Sequence, residues 1–369
     1  MSINDLHGKF NGKEFEYISN YLDSEGYSDE KSWVQRFEEE VSKHTGVKYA
    51  VACNSGTSGL HMAMVACGIG PGDEVITPGL TVVMDAYSVI HVGAKPVFAD
   101  VDRSTYGIDV SEIKKKITKK TKGIMIVHMA GHPCEVNKIL NFCKKKKIIL
   151  IEDCAHALGT FINKKHAGNF GISGSFSFYP TKQITTGEGG AVITNDKKFY
   201  KKIKMLKAFG IDKDIKDRKK QGDYDVKSLG YNYRMTDFQA ALGLNQIVKY
   251  RKNLKQRHLI AKRYIKKFSG NIKISHMPYS KDCSFFIFQI FCKNRDKILK
   301  ELKKKNIGVS VHYSNALPKM TYYKNKYNLS LSKFKNANNY GSTNISLPVY
   351  PKLEMKEIDK ICKTVMDLI

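Results

Sequence analysis

The sequence predicts an α/β fold with a large, mainly parallel mixed sheet, followed by a smaller α+β domain. Short apolar runs such as 122–131 and 146–154 alternate with lysine-rich amphipathic segments such as 136–147. Strands that alternate with helices are typical of a parallel sheet. Near residue 240 the pattern changes to one long helical period over 238–268. We therefore expect two domains, joined by that helix: 1–245 and 246–369.

The large domain begins with further strand and helix patterns. Apolar runs at 47–55, 73–79 and 95–102 predict strands, and the helical spacing of 58–68 predicts a helix that ends at a glycine. Ligands bind at the carboxyl ends of the strands in such sheets. The segments that follow these strands are therefore where a functional site is expected.

The smaller domain is predicted from three segments after the long helix. They are an apolar run at 283–292, a helix-like stretch at 295–306 and a short apolar segment at 309–313. The polar run 212–225 interrupts the large domain and predicts an exposed, mobile loop.

Charge and composition limit the classes of function. The formal net charge is +27, which by itself is compatible with nucleic-acid binding, but only eight of the 62 basic residues are arginine. Nucleic-acid readers favour arginine for bidentate contacts to bases and phosphates. The lysines are spread along the whole chain, so we expect a solvated basic surface that attracts small polyanions such as nucleotide diphosphates, and no nucleic-acid partner.

Targeting and metal signals are weak. The eight cysteines form no CxxC pair, so neither a metal site nor a redox pair is expected. No stretch approaches the ~20 apolar residues of a membrane span, and the first residues, MSINDLHGKF, carry no apolar core of a secretory signal. A cytoplasmic location without a membrane partner is the expectation.

Three local patterns bear chemistry, and each has a structural alternative. Gly56, Thr57 and Ser58 follow a strand and open a helix, which predicts either an anion site or an ordinary helix cap. Asp153 ends a buried strand, where it would face a cationic ligand atom or cap a helix. Lys182 lies between an aromatic run and a glycine-rich turn.

Taken in chain order, these patterns suggest pyridoxal phosphate as the cofactor. The helix N-terminus would hold the phosphate and Lys182 would hold the cofactor as a Schiff base. Asp153 would keep the pyridine nitrogen protonated, so that the ring can act as an electron sink.

From about residue 20 to the C-terminus, the chain resembles the DegT/DnrJ/EryC1/StrS sugar aminotransferases, which are fold-type-I pyridoxal phosphate enzymes. Nine motifs in the expected order carry this resemblance: SGTSGLHMA (55–63), PGDEVITPGLTVV (71–83), GAKPVFADVD (93–102), GHPCEV (131–136), IEDCAHALGT (151–160), FSFYPTKQITTGEGG (176–190), LGYNYRMTDFQAALGL (229–244), VHY (311–313) and SLPVYPKL (346–353).

The resemblance implies a role for each matched residue. Lys182 would bind the cofactor and shuttle the proton, Asp153 would pair with the pyridinium nitrogen, and His156 would lie near the ring. The phosphate ligands would be Gly56, Thr57, Ser58 and Ser177.

The resemblance also implies a homodimer in which each subunit completes the partner's site. Asn232 and Arg234 would reach the active site of the partner subunit, and His312 and Tyr313 would border the sugar pocket. For three of these residues a structural role is an equal alternative: Asn232 would only shape a turn, His312 would be a satisfied strand histidine, and Tyr313 would be a packed aromatic.

The chain departs from the family pattern near the expected cofactor ring. Val82 stands where the family has a stacking aromatic, Met84 and Asp85 replace a small pair such as Ala-Thr, and the aromatic usual after VHL is missing from VHMAG (127–131). Valine loses the stacking geometry of an aromatic ring. These changes bear on substrate and cofactor affinity, and not on the chemistry of Lys182.

The expected reaction is transfer of an amino group from glutamate or glutamine to the C4 or C3 ketone of a nucleotide-linked sugar, for a surface glycan. The last arginine is Arg295, so no later guanidinium is present to grip an amino-acid acceptor. A cyclitol or other keto-sugar acceptor remains open. A sugar dehydratase is disfavoured because that branch has histidine in place of Lys182, and a regulatory or nucleic-acid-binding protein that retained the fold is the non-enzyme alternative.

Overall fold

A computed structural model describes residues 13–23, 32–213, 218–220 and 222–369. The N-terminal decapeptide lies outside the described residues. So do 214–217 and 221 of the predicted loop at 212–225.

The strands follow the apolar runs of the sequence. In chain order they are β1 (Tyr49–Cys53), β2 (Glu74–Pro78), β3 (Lys95–Ala99), β4 (Thr121–Val127), β5 (Ile149–Asp153), β6 (Phe161–Ile162), β7 (Lys165–His166), β8 (Ser173–Ser177), β9 (Gly190–Thr194), β10 (Ser275–His276), β11 (Phe288–Phe291) and β12 (Asn344–Leu347).

The helices alternate with these strands in the first half of the chain. In chain order they are α1 (Lys13–Leu22), α2 (Trp33–Thr45), α3 (Gly56–Ala66), α4 (Val83–His91), α5 (Val110–Lys116), α6 (Val136–Lys146), α7 (Lys197–Lys207), α8 (Asp237–Phe268), α9 (Arg295–Lys304), α10 (Thr321–Tyr327), α11 (Lys335–Thr343) and α12 (Met355–Asp367).

Seven strands form the main sheet in the order β1-β9-β8-β5-β4-β2-β3, with β5 in the middle. The pairs from β8 to β3 are parallel, whereas β9 runs antiparallel to both β1 and β8. Strands β2 and β9 are buried along their whole length, because helices cover both faces of such a sheet. The predicted mainly parallel α/β fold is therefore confirmed. The mixed character of the sheet is confirmed as well, although the sequence did not predict that β9 is the antiparallel strand.

The long helix α8 begins with a capping box, in which Thr236 and Gln239 satisfy each other's backbone N–H groups. Its 32 residues span about 48 Å at 1.5 Å per residue. Tyr250 packs in the core beneath the large sheet, and Tyr264 packs in the core of the C-terminal part. The predicted boundary at 245/246 thus falls within one continuous helix that both cores share.

The C-terminal part contains a three-stranded antiparallel sheet, β10-β11-β12. Hydrogen bonds connect the C-terminal part to the large sheet. The carboxylate of Asp100, next to β3, accepts the backbone N–H groups of Asn336 (2.9 Å) and Ala337 (2.8 Å) at the start of α11. A shared apolar cluster that includes Phe98 and Phe286 fills the space between the two parts. This packing places segments of the C-terminal part against the edge of the large sheet.

Within the described residues, no helix is long and apolar enough to cross a membrane.

Candidate active site

The site is built around the carboxyl end of the central strand β5, where Asp153 is 3% exposed. The backbone N–H of Ala155 donates to its Oδ1 at 2.8 Å. Burial raises the pKa of Asp153, and this N–H together with the nearby charges of Lys182 and His128 opposes the rise. Strand β5 thus ends in a buried carboxyl group that has a single backbone hydrogen-bond donor.

Lys182 lies in the loop between β8 and β9, where its backbone N–H donates to the carbonyl of Tyr179 at 2.9 Å. Its Nζ lies 4.8 Å from the centroid of the Phe286 ring. Burial lowers the pKa of Lys182 to about 8, against the attraction of Asp153 and Asp85. About a tenth of such amines are neutral at pH 7, far more than for an ordinary lysine with a pKa near 10.4. Only the neutral amine attacks a carbonyl carbon.

The N-terminus of α3 and the end of β8 form a small anion cradle. An added Cβ on Gly56 would come within 2.8 Å of the Ser177 Cβ, so the two segments touch. Thr57 and Ser177 are half-buried beside this contact. Backbone N–H groups at a helix start attract anions. Gly56, Thr57 and Ser177 are therefore brought together as the sequence analysis expected.

Ser58 has a different position from the other cradle residues. It forms a capping box with Ser55, whose Oγ accepts the Ser58 N–H at 3.1 Å. The Ser58 hydroxyl donates at 2.7 Å to Asn54 Oδ1. The structural alternative, a helix cap, accounts for this side chain, while its role as a phosphate ligand stays a prediction.

His156, in the turn that directly follows β5, lies flat against Phe286 with ring centroids 4.3 Å apart. Its Nδ1 accepts the Ala130 N–H at 3.4 Å, which leaves Nε2–H to face the Tyr313 hydroxyl at 3.5 Å. Burial, with the charge of Lys182, holds the pKa of His156 well below its usual value. The site therefore contains a neutral imidazole in a fixed orientation.

His312 and Tyr313 stand beside this imidazole. The His312 Nδ1 interacts with the Ser346 hydroxyl at 3.0 Å, and burial lowers the pKa of His312 to about 4. Burial, followed by the charges of Asp153 and Asp85, raises the pKa of the Tyr313 phenol. Both residues border the site. The hydrogen bond between His312 and Ser346 also fits the structural alternative for His312, a histidine whose hydrogen bonds are made within the protein.

Asn232 and Arg234 do not join this cluster within one chain. Both are exposed, on a segment that meets β1 through a bridge between Cys53 and Arg234. The Arg234 guanidinium lies 4.6 Å over the ring of Phe209. The two residues line a surface cavity of about 1970 Å³ that also contains Asn54. Their exposed positions would allow them to contact a partner subunit, as predicted, only if that subunit packs against this surface.

Two residues of the site were not assigned from the sequence. Asp85, on α4, is fully buried. The sequence marked it only as a departure from the family pattern. A carboxylate within an apolar helix could have identified it as a site residue. Phe286 comes from the C-terminal part, and its apolar run contains no feature that marks it. Val82 is half-buried immediately before α4.

The side chains nearest to a metal-binding arrangement in the described residues are those of His128, Glu152 and Cys154. Glu152 already accepts backbone N–H groups of the 168–171 loop on both of its oxygens. Its Oε2 also lies 3.1 Å from the His128 Nε2. This cluster is accounted for as a structural anchor.

Together, the mixed seven-stranded sheet, the lysine after β8, the carboxylate ending β5 and the anion cradle at α3 define a pyridoxal phosphate-dependent transferase of fold type I. The DegT/DnrJ/EryC1/StrS aminotransferase family matches residues 9–366. The chain belongs to this family and is an aminotransferase, as the sequence predicted.

Similar proteins point to sugar substrates. GDP-perosamine synthase of Escherichia coli O157:H7 is 36% identical over 358 residues, which is 96% of this chain and 95% of that protein. Among solved structures, the putative sugar aminotransferase Spr1654 of Streptococcus pneumoniae in its PMP form has a TM-score of 0.91 at 29% identity, covering 97% of both chains. It is also solved in a PLP form.

A third similar protein is Helicobacter pylori PseC, an aminotransferase involved in the biosynthesis of pseudoaminic acid. Its structure has a TM-score of 0.90 at 29% identity and covers 97% of this chain and 96% of that one. These similarities support a sugar aminotransferase and confirm the predicted pyridoxal phosphate cofactor at the level of the family.

Proposed function

We propose that this protein is a pyridoxal phosphate-dependent aminotransferase that moves an amino group from glutamate or glutamine to the C4 or C3 ketone of a nucleotide-linked keto-sugar. The product would enter a surface glycan. The observation that carries the proposal is Lys182, a buried amine with a pKa of about 8 that interacts with the charge of the buried Asp153 carboxyl. The cytoplasmic location remains a prediction from the sequence.

The residues present fit this cofactor. Gly56 lets the start of α3 lie directly against the end of β8 at Ser177, next to the hydroxyls of Thr57 and Ser177, which suits a phosphate group. Among the described residues, Lys182 Nζ forms no salt bridge and the Thr57 hydroxyl no hydrogen bond. Asp153 can accept a hydrogen bond from a protonated ring nitrogen. These groups are the donors and acceptors that a phosphorylated pyridine aldehyde requires.

When bound, the cofactor supplies an electron sink and a carrier for the amino group. Lys182 would hold it, and its amine would take and return a proton because its pKa lies close to neutral pH. Asp153 would supply the negative charge that keeps the ring nitrogen protonated. His156 stays neutral, because it is buried, and offers its Nε2–H as a donor. The packing of Phe286 against His156 excludes water from this side.

The two buried arginines of the C-terminal part, Arg257 and Arg295, support a sugar acceptor over an amino acid. Arg257 is buried, and its Nη1 donates to the carbonyls of Phe285 (3.0 Å) and Val349 (3.1 Å). Arg295 pairs with Asp296 at 2.6 Å and donates to a strand carbonyl. Both guanidinium groups are thus occupied by structural contacts, and neither can form a fork for an α-carboxylate.

A homodimer with shared sites is part of the proposal. Asn232 and Arg234 are exposed beside apolar side chains such as Phe209, which is 44% exposed, and Leu229, which is 80% exposed. Apolar exposure of this kind is typical of an interface. If Arg234 serves the partner subunit's site, mixing the inactive Lys182→Ala and Arg234→Ala proteins would restore activity, because one site of each hybrid dimer would be intact. A mixture that stays inactive, although hybrids form, would contradict shared sites.

The reaction is tested by mixing purified protein, pyridoxal phosphate, an amino donor and candidate keto-sugar nucleotides, followed by mass spectrometry of the product. Borohydride reduction of the loaded protein should attach the cofactor to the peptide that contains Lys182. Attachment to another lysine, or no aminated product from any keto-sugar or cyclitol ketone, would overturn the proposal. A dehydrated sugar would identify the dehydratase alternative. A protein that takes up no cofactor and binds DNA in a salt-dependent way would favour the regulator.

A further inference from the structure

Asp85 occupies an unusual position in the site. It lies in the first turn of α4 and is completely buried. The Thr81 hydroxyl donates to its Oδ2 at 2.5 Å. Its other oxygen, Oδ1, makes no hydrogen bond of ordinary geometry within the part of the chain that the structure describes. A buried carboxyl oxygen without a donor is unfavourable when the group is ionised.

The charged groups near Asp85 are Asp153 and Lys182, and the charges of both carboxyls also act on the phenol of Tyr313. Burial and then the Asp153 charge raise the pKa of Asp85 well above its usual value. Asp153 is better placed to stay ionised, because the Ala155 N–H and the charges of Lys182 and His128 favour its negative form. Two neighbouring buried carboxyls cannot both ionise at low cost, so such a pair retains one proton.

We propose that Asp85 is a positioning residue: it carries the shared proton on Oδ1 and donates it as a hydrogen bond to Asp153. The Thr81 hydroxyl, by donating to Oδ2, leaves Oδ1 as the oxygen that holds the proton. This inference rests on the proposed function, since Asp153 is there assigned to the ring nitrogen of the cofactor.

The consequence concerns the basicity of Asp153. A carboxylate that accepts a hydrogen bond from a neutral acid is a weaker base. It therefore leaves the proton on the pyridine nitrogen, where it is needed for the electron sink. The hydrogen bond also fixes the orientation of Asp153, which otherwise has one backbone donor at its Oδ1.

The test compares Asp85→Asn, whose amide can still donate to Asp153 and accept from Thr81, with Asp85→Ala, which can do neither. Ser88→Ala, one turn later on α4, is the control for disturbance of the helix; its hydroxyl donates to the Asp85 carbonyl at 3.0 Å. Apoproteins are titrated with pyridoxal phosphate, and binding is followed by visible absorbance. We expect Asp85→Asn and Ser88→Ala to bind within about threefold of the unmodified protein, and Asp85→Ala to bind about tenfold more weakly.

A second readout is the pH at which the visible band of the bound cofactor changes. In Asp85→Ala this midpoint should rise by about half a pH unit or more, because a less positive ring holds the neighbouring proton more tightly. Asp85→Asn should keep the unmodified midpoint. The inference is overturned if Asp85→Asn behaves like Asp85→Ala, which would mean that an ionised carboxylate is needed, or if Asp85→Ala changes neither readout. If the unmodified protein takes up no cofactor, the proposed function fails first and this inference falls with it.

Discussion

Strand β5 ends in two adjacent buried carboxylates, Glu152 and Asp153, which point to opposite faces of the sheet. They differ in their hydrogen-bond partners. Glu152 Oε1 accepts the N–H groups of Phe170 (2.6 Å) and Gly171 (2.7 Å). Its Oε2 accepts the Gly168 N–H at 2.8 Å and meets His128 Nε2 at 3.1 Å. Asp153 has one backbone donor, from Ala155.

The number of hydrogen-bond donors around a buried carboxylate helps to distinguish a structural group, such as Glu152, from a candidate functional group, such as Asp153. Burying a charge is unfavourable unless hydrogen bonds replace water. The four donors around Glu152 meet that need and tie the 168–171 loop to the sheet. Asp153 has a single backbone donor and otherwise faces Asp85 and Lys182, an arrangement that costs stability and is useful only when a ligand completes it.

The largest expected effect is on the transamination rate, from substitution of Lys182. Lys182→Ala should lower transamination by roughly 10³-fold or more, because no other described amine is placed to hold the cofactor. Lys165→Ala is a matched control, since the Lys165 Nζ also lies 4.8 Å from a phenylalanine ring, that of Phe170, but away from the site. Steady-state rates with saturating donor and sugar measure both. Substantial activity in Lys182→Ala would remove this lysine from the mechanism.

The comparison between the two carboxylates is tested by matched amide substitutions. Glu152→Gln should reduce the free energy of unfolding by roughly 2–4 kcal/mol, because an amide –NH₂ would face backbone donors. Asp153→Asn should change it by less than about 1 kcal/mol, since it removes a poorly satisfied charge.

Urea denaturation of the two apoproteins measures this contrast. Transamination rates complete it: Asp153→Asn should lose most of its activity although it stays folded. If Asp153→Asn were the less stable of the two, the proposed division of roles would be wrong.

The lowered pKa of Lys182 predicts a pH dependence for cofactor capture. Because the folded pKa is about 8, lower than that of a free lysine, the neutral amine accumulates as pH rises and its fraction levels off above about 8. Mixing apoprotein with pyridoxal phosphate in a stopped-flow instrument should give a rate that follows this curve. A rate that keeps rising to pH 10 would show an ordinary lysine. The same shift makes the apoprotein less stable as pH falls from the unfolded value toward 8.

The smallest effect is expected at Phe286. Phe286→Leu keeps an apolar side chain but removes the stacking on His156 and the ring beneath Lys182. The rate should fall by roughly two- to tenfold, the size of a lost aromatic contact. Phe285→Leu, which changes the neighbouring buried ring, is the control. Equal effects of both substitutions on rate and stability would show that Phe286 contributes only to packing.

Sequence patterns predicted much of this site because they are local. The helix start at Gly56, the strand end at Asp153 and the loop lysine Lys182 each have a signature within a few residues, and their order along the chain predicted the cofactor. Which strand of the mixed sheet runs antiparallel was not predicted, since buried strands of either direction are continuous apolar runs. The capping role of the Ser58 hydroxyl was an open alternative that only atomic contacts could decide.

The sequence by itself determined the fold class and the family and singled out the lysine that we propose holds the cofactor, because periodicity, glycines and motif order are all properties of neighbouring residues. Only the tertiary structure decided which partners those residues meet. It placed Asp85 beside Asp153, Phe286 beneath Lys182 and four donors around Glu152, across long separations in the chain. Burial and pairing set the charge of each group, and both depend on folding, which brings distant segments into one dry pocket.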